Sequence, residues 1–302
     1  MDSHKKIVTH SIDMAQVNPM TDDKTVLIRQ PSTANLMIDS QDRNSTIYPT
    51  AGEFQIIRNY SILNGFFTRL GVEEVALEWA QPNIITNLND TFTVTITGAP
   101  SNPYTVTLLQ GMYTVAQVLD ALVSRLNNAQ TTAVFSIDNT LGWARLASTI
   151  TYSISNTVLA TDLGFTIGGV AILSRQTNQT QPVNIAVYDY IDIICPQLTY
   201  TQKLKDSTTG SNAKDVLCRW YMAWDNPPPI DKYGFPILMG YQPFRCRRLF
   251  SPPKQIRWEP NLPIGNLSFE VWSGAGGVLS QLNLSPADTF FNFQLTIQVS
   301  EV

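Results

Sequence analysis

The clearest regularity in this chain is alternation. In "FFNFQLTIQV" the apolar residues Phe291, Phe293, Leu295, Ile297 and Val299 fall on one face, and Asn292, Gln294, Thr296 and Gln298 on the other. A strand that covers a core on one side only needs this pattern. "NLSFEVW" (Leu267, Phe269, Val271) and "VEEVALEW" (Val75, Leu77, Trp79) repeat it. The run from Val183 to Cys195 is apolar on both faces, and "DVLCRWYMAW", Asp215 to Trp224, is rich in aromatics; both predict strands. Proline and glycine punctuate these runs at Pro227 to Pro229, Pro252 to Pro253 and Gly274 to Gly277.

One segment breaks the all-β pattern. "DTFTVTI" sets Phe92, Val94 and Ile96 against threonines, a turn rich in glycine and proline follows, and "YTVTLL" alternates again, which predicts a hairpin. "TVAQVLDALVSRLNN" then places Val115, Val118, Leu119, Leu122 and Leu126 at helical spacing behind a Thr114/Gln117 capping box. Two more strands, "AVFSID" and "WARLA", flank a turn at Asp138 to Gly142, and "NTVLATDLGF" predicts a short helix ending at Gly164. The expected organisation is mainly β: an arm over residues 1–33, a β-sandwich over 34–88 and 176–302, and an inserted small α+β domain over 89–175.

Composition narrows the function. The 302 residues are 43% apolar but only 15% charged, with a formal charge of −4, so Thr, Asn, Gln and Ser make up much of the polar surface. Neutral side chains are cheaper to desolvate than ions and suit contacts between subunits, and an acidic chain does not coat nucleic acid unspecifically. Cys195, Cys218 and Cys246 lie far apart with no CxxC spacing, which predicts reduced, buried thiols in a cytosol-like compartment. The first thirty residues show no apolar signal-peptide core, and no apolar run is long enough for a spanning helix.

Catalytic signatures are scarce. His4 and His10 are the only histidines, both within the arm, where no packed shell can fix a general base. No phosphate-loop, dinucleotide, nucleophile-elbow or zincin motif occurs, so no cofactor or metal is expected. The densest polar cluster is "MIDSQDRNSTIYPTAGEFQI", Met37 to Ile56, with Asp39, Asp42 and Glu53 around Arg43. It reads as a structural corner built on Asp39, Asp42, Arg43, Tyr48 and Pro49: an Asx turn follows a strand, Arg43 donates to nearby carbonyls, and Tyr48-Pro49 forces extended backbone. Calcium at Asp39 and Asp42 lacks a third oxygen ligand. One concentration of positive charge, Arg245, Arg247, Arg248, Lys254 and Arg257, is expected to touch either a neighbouring subunit or a packaged genome. The aromatics around Trp220, Tyr221 and Trp224 offer a sugar platform as an alternative use.

The stretch "LMIDSQDRNSTIYPTAGEFQI" resembles the vertex (penton) and minor capsid proteins of virophages, polinton-like viruses and large nucleocytoplasmic DNA viruses, which open on "DSxDRN" followed by "YPxxxxF". Asp39, Ser40, Asp42, Arg43, Asn44, Tyr48, Pro49 and Phe54 stand at the matching places, and "NDTFTVTI", "YTVTLLQGMYTVAQVLDALVSRLN" and "DLGF" match further elements of the same proteins. Length and insertion together most resemble the penton proteins of mavirus-type virophages. The resemblance implies a single jelly roll, a homopentamer at each icosahedral vertex, no enzyme activity, and a virion capsid assembled in the host cytoplasm. Its implied partners are sister copies, the major capsid protein and other capsid proteins, with a host surface met through the insertion. Another minor capsid role, a carbohydrate-binding fibre or lectin, and a glycoside hydrolase are the competing expectations.

Overall fold

The computed structural model describes residues 33–57, 69–99, 103–137, 146–165, 167, 181–199, 216–224, 226–251, 255–257, 264–275, 278–281 and 290–300. In chain order the sandwich begins with β1 (Thr33–Asp39), β2 (Glu53–Ile57) and β3 (Arg69–Ala80). The insertion follows, with β4 (Thr91–Ile96), β5 (Tyr104–Thr107), α1 (Val115–Ala129), β6 (Phe135–Ile137), β7 (Leu146–Ser148), β8 (Tyr152–Ile154) and α2 (Val158–Asp162). The chain then returns through β9 (Tyr190–Ile194), α3 (Pro196–Thr199), β10 (Val216–Tyr221), β11 (Phe244–Leu249), β12 (Gln255–Arg257), β13 (Asn266–Ala275), β14 (Val278–Gln281) and β15 (Phe290–Ser300).

Two antiparallel sheets form the sandwich. In the first, β1, β15, β3 and β11 lie side by side, and β12 extends the β11 side of β3. In the second the order is β10, β9, β13, after which β14 and β2 share the far side of β13. The first described strand pairs with the last, and the chain crosses between the two sheets after β1, β2, β3, β10, β12 and β14, while β9–β10, β11–β12 and β13–β14 stay within one sheet. Alternation drives this arrangement: Phe291, Phe293, Leu295, Ile297 and Val299 of β15 and Val75, Leu77 and Trp79 of β3 are all buried in one core with Phe54, Phe269, Val271 and Trp220 of the second sheet. Phe54 stacks on Phe269 at 5.1 Å and reaches Phe293 across the sandwich at 5.7 Å. Gly274 of β13 makes room for its neighbour, since a Cβ there would lie 2.1 Å from the ring of Tyr190 as it is placed.

Between β3 and β9 the chain builds a second hydrophobic core, in the segment expected to be the insertion. Its helix α1 starts at the Thr114/Gln117 capping box and buries Val115, Val118, Leu119, Leu122 and Leu126 against the β4–β5 hairpin, β8, and the β6–β7 pair. α2 stops at Gly164, whose φ of +73° a side-chain-bearing residue would adopt only under strain. This second core also takes in Ile84, Ile185, Phe235 and Tyr241, which lie outside residues 89–175. Residues 233–241 therefore pack with this second core. Asp231 fixes the attachment: its carboxylate accepts from Ala116 N in the first turn of α1 (2.9 Å) and from Tyr233 N (2.8 Å) and Phe235 N (3.0 Å).

The run from Val183 to Cys195 departs from the expected strand. Only Tyr190–Ile194 pairs as β9. Ahead of it, Asn184 accepts from Ala186 N at 3.0 Å in an Asx turn and Ile185 enters the second core, so that part of the apolar pattern serves another partner than a sheet. The arm, apart from Thr33 at the start of β1, lies outside the described residues, as do both histidines.

Candidate functional site

The polar cluster around Arg43 sits where β1 leaves the first sheet. Asp39 caps a 3-10 turn over Ser40–Asp42. One of its carboxylate oxygens accepts from Gln41 N at 2.8 Å and the other from Gln294 Nε2 at 2.6 Å. Both oxygens thereby tie the turn to its own backbone and to β15. The Arg43 guanidinium donates through Nε to the Tyr48 carbonyl (3.1 Å), through Nη1 to the Ser40 carbonyl (2.7 Å) and Asn292 Oδ1 (3.3 Å), and through Nη2 to the Pro49 carbonyl (3.3 Å). A planar fork can serve four acceptors at once where an ammonium cannot. Burial lowers the pKa of Arg43, opposed by the negative charge of Asp39. Tyr48 packs against the sandwich core, and Asp42 is exposed.

Three further residues complete this corner, one from its own stretch and two from β15. Ser40 is fully buried, donates to Asn292 Oδ1 (3.3 Å) and accepts from Phe293 N (2.9 Å). Asn292 and Gln294 come from the far end of the chain, on the polar face of the strand whose apolar face builds the core. Their only advance sign is that alternation.

Register links the corner to the arginine strand. Asp39 pairs with Gln294, Gln294 with Ala76, and Ala76 with Arg247, so one row crosses the outer face of the first sheet. The small side chain of Ala76 leaves a groove of about 380 Å³ between Asp39 and Gln41 on one wall and Arg245 and Arg247 on the other. Acids missing from the arginine segment itself are supplied by β3: Arg245 pairs with Glu78 and Arg247 with Glu74. The arginine side chains are 79% and 66% exposed and their carboxylates 16% and 21%, so the surface that a partner meets is guanidinium. Arg248 points the other way, lies 4.5 Å over the ring of Trp220 and donates to the carbonyls of Tyr221 (3.4 Å), the last residue of β10, and Ala223 (3.0 Å), just beyond it. Lys254 lies outside the described residues, and Arg257 is described only by its place in β12 opposite Arg69.

The other candidate chemistry resolves into structure. Trp220 is fully buried and Trp224 donates its indole N–H to the Ile237 carbonyl at 2.8 Å, so they do not form an open sugar platform. Asp192 is buried and held by Arg219 through two 2.7 Å bonds, and Arg219 stacks 3.9 Å over Tyr190. Cys195 and Cys218 are buried, and burial pushes the Cys195 thiol up to about 12. Asn89, within a glycosylation triplet, is 2% exposed and bonded to the Asn83 carbonyl at 2.9 Å.

Among solved structures, the crystal structure of the mavirus penton protein matches 91% of this chain and 100% of its own at a TM-score of 0.52 and 14% identity. The chain has the mavirus penton fold. A chain from the cryo-EM structure of the Sputnik virophage matches over 88% of this chain and 97% of its own at 12% identity and a TM-score of 0.40, too low to bear on the fold. No family model matches the sequence, and no curated protein matches it. In this penton fold the corner, the insertion and loop 222–243 share one end of the sandwich: β1 and β3 finish there at Asp39 and Ala80, and β11 and β15 begin there at Phe244 and Phe290.

Proposed function

We propose that this chain is a structural capsid protein, the penton that closes the vertices of an icosahedral shell as a homopentamer. The observation that carries the reading is the likeness to the mavirus penton protein over the whole of that chain. The site chemistry agrees with a mechanical role. At the corner the polar groups are spent on one another and on backbone, which rigidifies a wedge and leaves no preorganised acid, base or nucleophile. A wedge of this kind joins copies by a heterologous contact that closes as a ring.

In this reading the other partners are the major capsid protein and neighbouring capsid proteins, and the protein is found in the virion capsid, assembled in the host cytoplasm. The insertion-bearing end of the sandwich faces outward and supplies any contact with a host surface. Arg245 and Arg247, each already beside a carboxylate, serve a protein neighbour better than a genome, because a guanidinium with one edge on a glutamate keeps its other donors for a second acceptor but adds little net charge. The test is imaging of particles in which this chain carries a small tag on the insertion. Label confined to fivefold vertices supports the penton role; label on other capsomers or its absence from particles contradicts it.

A further inference from the structure

The first sheet ends at β1 without a neighbour. Among the described residues β1 pairs with β15 alone, and Thr33 to Ile38 make no backbone hydrogen bond on the side away from it. An unpaired edge is a template for a further strand, and proteins that stay monomeric blunt it with charge, proline or a bulge. This edge is seven residues long, "TANLMID", with no proline, no shift of register and no charge before Asp39. The other side of the sheet is treated differently: β11 carries Arg245, Arg247 and Arg248 within six residues, and Arg248 is tied to the end of β10. Burial along β1 points to the same place. Ala34, Leu36 and Ile38 lie opposite Val299, Ile297 and Leu295, which are buried in the sandwich core, so alternation turns all three inward. Ile38 is buried, but Leu36 is only partly buried and Ala34 is exposed. The inward side of β1 thus loses its cover toward Thr33, where the arm joins. On the outward side Met37 is 80% exposed.

We propose that the open edge of β1 takes residues 24–30 from the arm of a second copy as an added strand. The segment "KTVLIRQ", Lys24 to Gln30, matches β1 in length and is rich in residues that suit a strand. Its alternation puts Val26 and Ile28 on one side, to cover Ala34 and Leu36, and Leu27 on the other, beside Met37. Main-chain hydrogen bonds supply the affinity of such an addition and alternate side chains its register. A copy's own arm is kept from this edge by the connection: a two-residue hairpin at Pro31-Ser32 needs a positive φ at its first position, and proline is held at about −65°. The proposal deepens the ring reading above and rests on it. Each copy gives one arm and receives one, which is a head-to-tail contact of the kind that closes a ring, and a second tethered contact adds avidity to whatever the sandwiches contribute.

The test uses the full chain. A copy with a benzophenone photo-crosslinker in place of Met37 is mixed with an excess of isotope-labelled wild type, illuminated after assembly, and its crosslinked peptides are mapped by mass spectrometry. The expected product joins position 37 to residues 24–30 of a labelled chain. In a second protein, Val26→Asp/Ile28→Asp, checked for folding by thermal melt, that product should be lost and the concentration for half-assembly should rise about a hundredfold, the lower end of what a tethered second contact contributes. In unmodified wild-type assemblies the amides of residues 34–38 should exchange more slowly than in a chain lacking residues 1–30. Assemblies whose crosslinks fall on the arm of the same chain, or on no arm, would overturn the exchange and leave the ring reading standing. Equal exchange of residues 34–38 with and without the arm would overturn it as well. A wild type that is monomeric throughout would overturn the inference and the penton reading together.

Discussion

The ring of Phe54 lies 5.7 Å from that of Phe293. Phe54 comes from β2, the first strand of the second sheet, and Phe293 from β15, the last strand of the first, and both are buried in the same core. The contact ties the halves of an interrupted domain together.

Truncation of either ring should therefore be severe. Phe54→Ala and Phe293→Ala are each expected to cost about 3–5 kcal/mol, the range for emptying a buried aromatic site. A double-mutant cycle by urea denaturation should show a coupling of about 0.5–1.5 kcal/mol. Strict additivity would mean that the two segments do not share a core.

At the corner, Arg43→Lys keeps the charge but loses the fork. It is expected to destabilise by about 1–3 kcal/mol, because buried carbonyls and Asn292 Oδ1 lose their donors. Ser40→Ala should leave the Phe293 amide without its side-chain acceptor and speed its hydrogen exchange, which NMR would read directly. Wild-type stability in both variants would reduce the corner to a surface ornament.

Excising residues 89–175 alone should leave a cooperatively unfolding sandwich with an adhesive face, since Ile84, Ile185, Phe235 and Tyr241 belong to the second core. Binding of a hydrophobic dye is expected to rise, and to fall again when Phe235 and Tyr241 are changed to serine. Separately, Asp231→Ala in the intact chain should cost about 1–2 kcal/mol through the lost cap of α1 and loosen residues 115–118 and 231–235 together in hydrogen exchange.

Asp162, at the end of α2, gives a pH signature. Burial raises its carboxyl from 3.8 to about 6, with a hydrogen bond from Asn89 acting the other way. A folded-state pKa above the unfolded one means that folding binds protons here, so the stability contributed by this group is fully present below about pH 4 and is lost as the pH rises through about 6. Asp162→Asn should consequently stabilise the protein at pH 7 and confer no such gain near pH 4. An equal gain at both pH values would mean that the carboxylate charge is not the cause.

The parts of this fold that were legible beforehand are those where a period and a boundary agree. In β15, β3 and α1 each apolar position is dictated by one face against one core, and the Thr114/Gln117 box marks the start of α1. At the corner the hydrogen bonds are local, from Gln41 N to Asp39 and from Arg43 to the carbonyls of Ser40, Tyr48 and Pro49, and short-range bonds of this kind leave their residue types close together in the sequence. What escaped depends on long-range pairing. Nothing near Arg245 announces Glu74 and Glu78, which only the register of β3 brings alongside. Asn292 is one more polar residue in an alternating strand until Ser40 and Arg43 meet it. The stretch ahead of Tyr190 misled for the same reason, because Ile185 is apolar on behalf of the insertion rather than a sheet.

The central claim is that this chain is a wedge that closes with copies of itself. Native mass spectrometry of the purified full chain at low ionic strength tests it most directly. A dominant species at five times the 33.6 kDa of one chain is the predicted result, and a protein that remains a monomer at every concentration would contradict it.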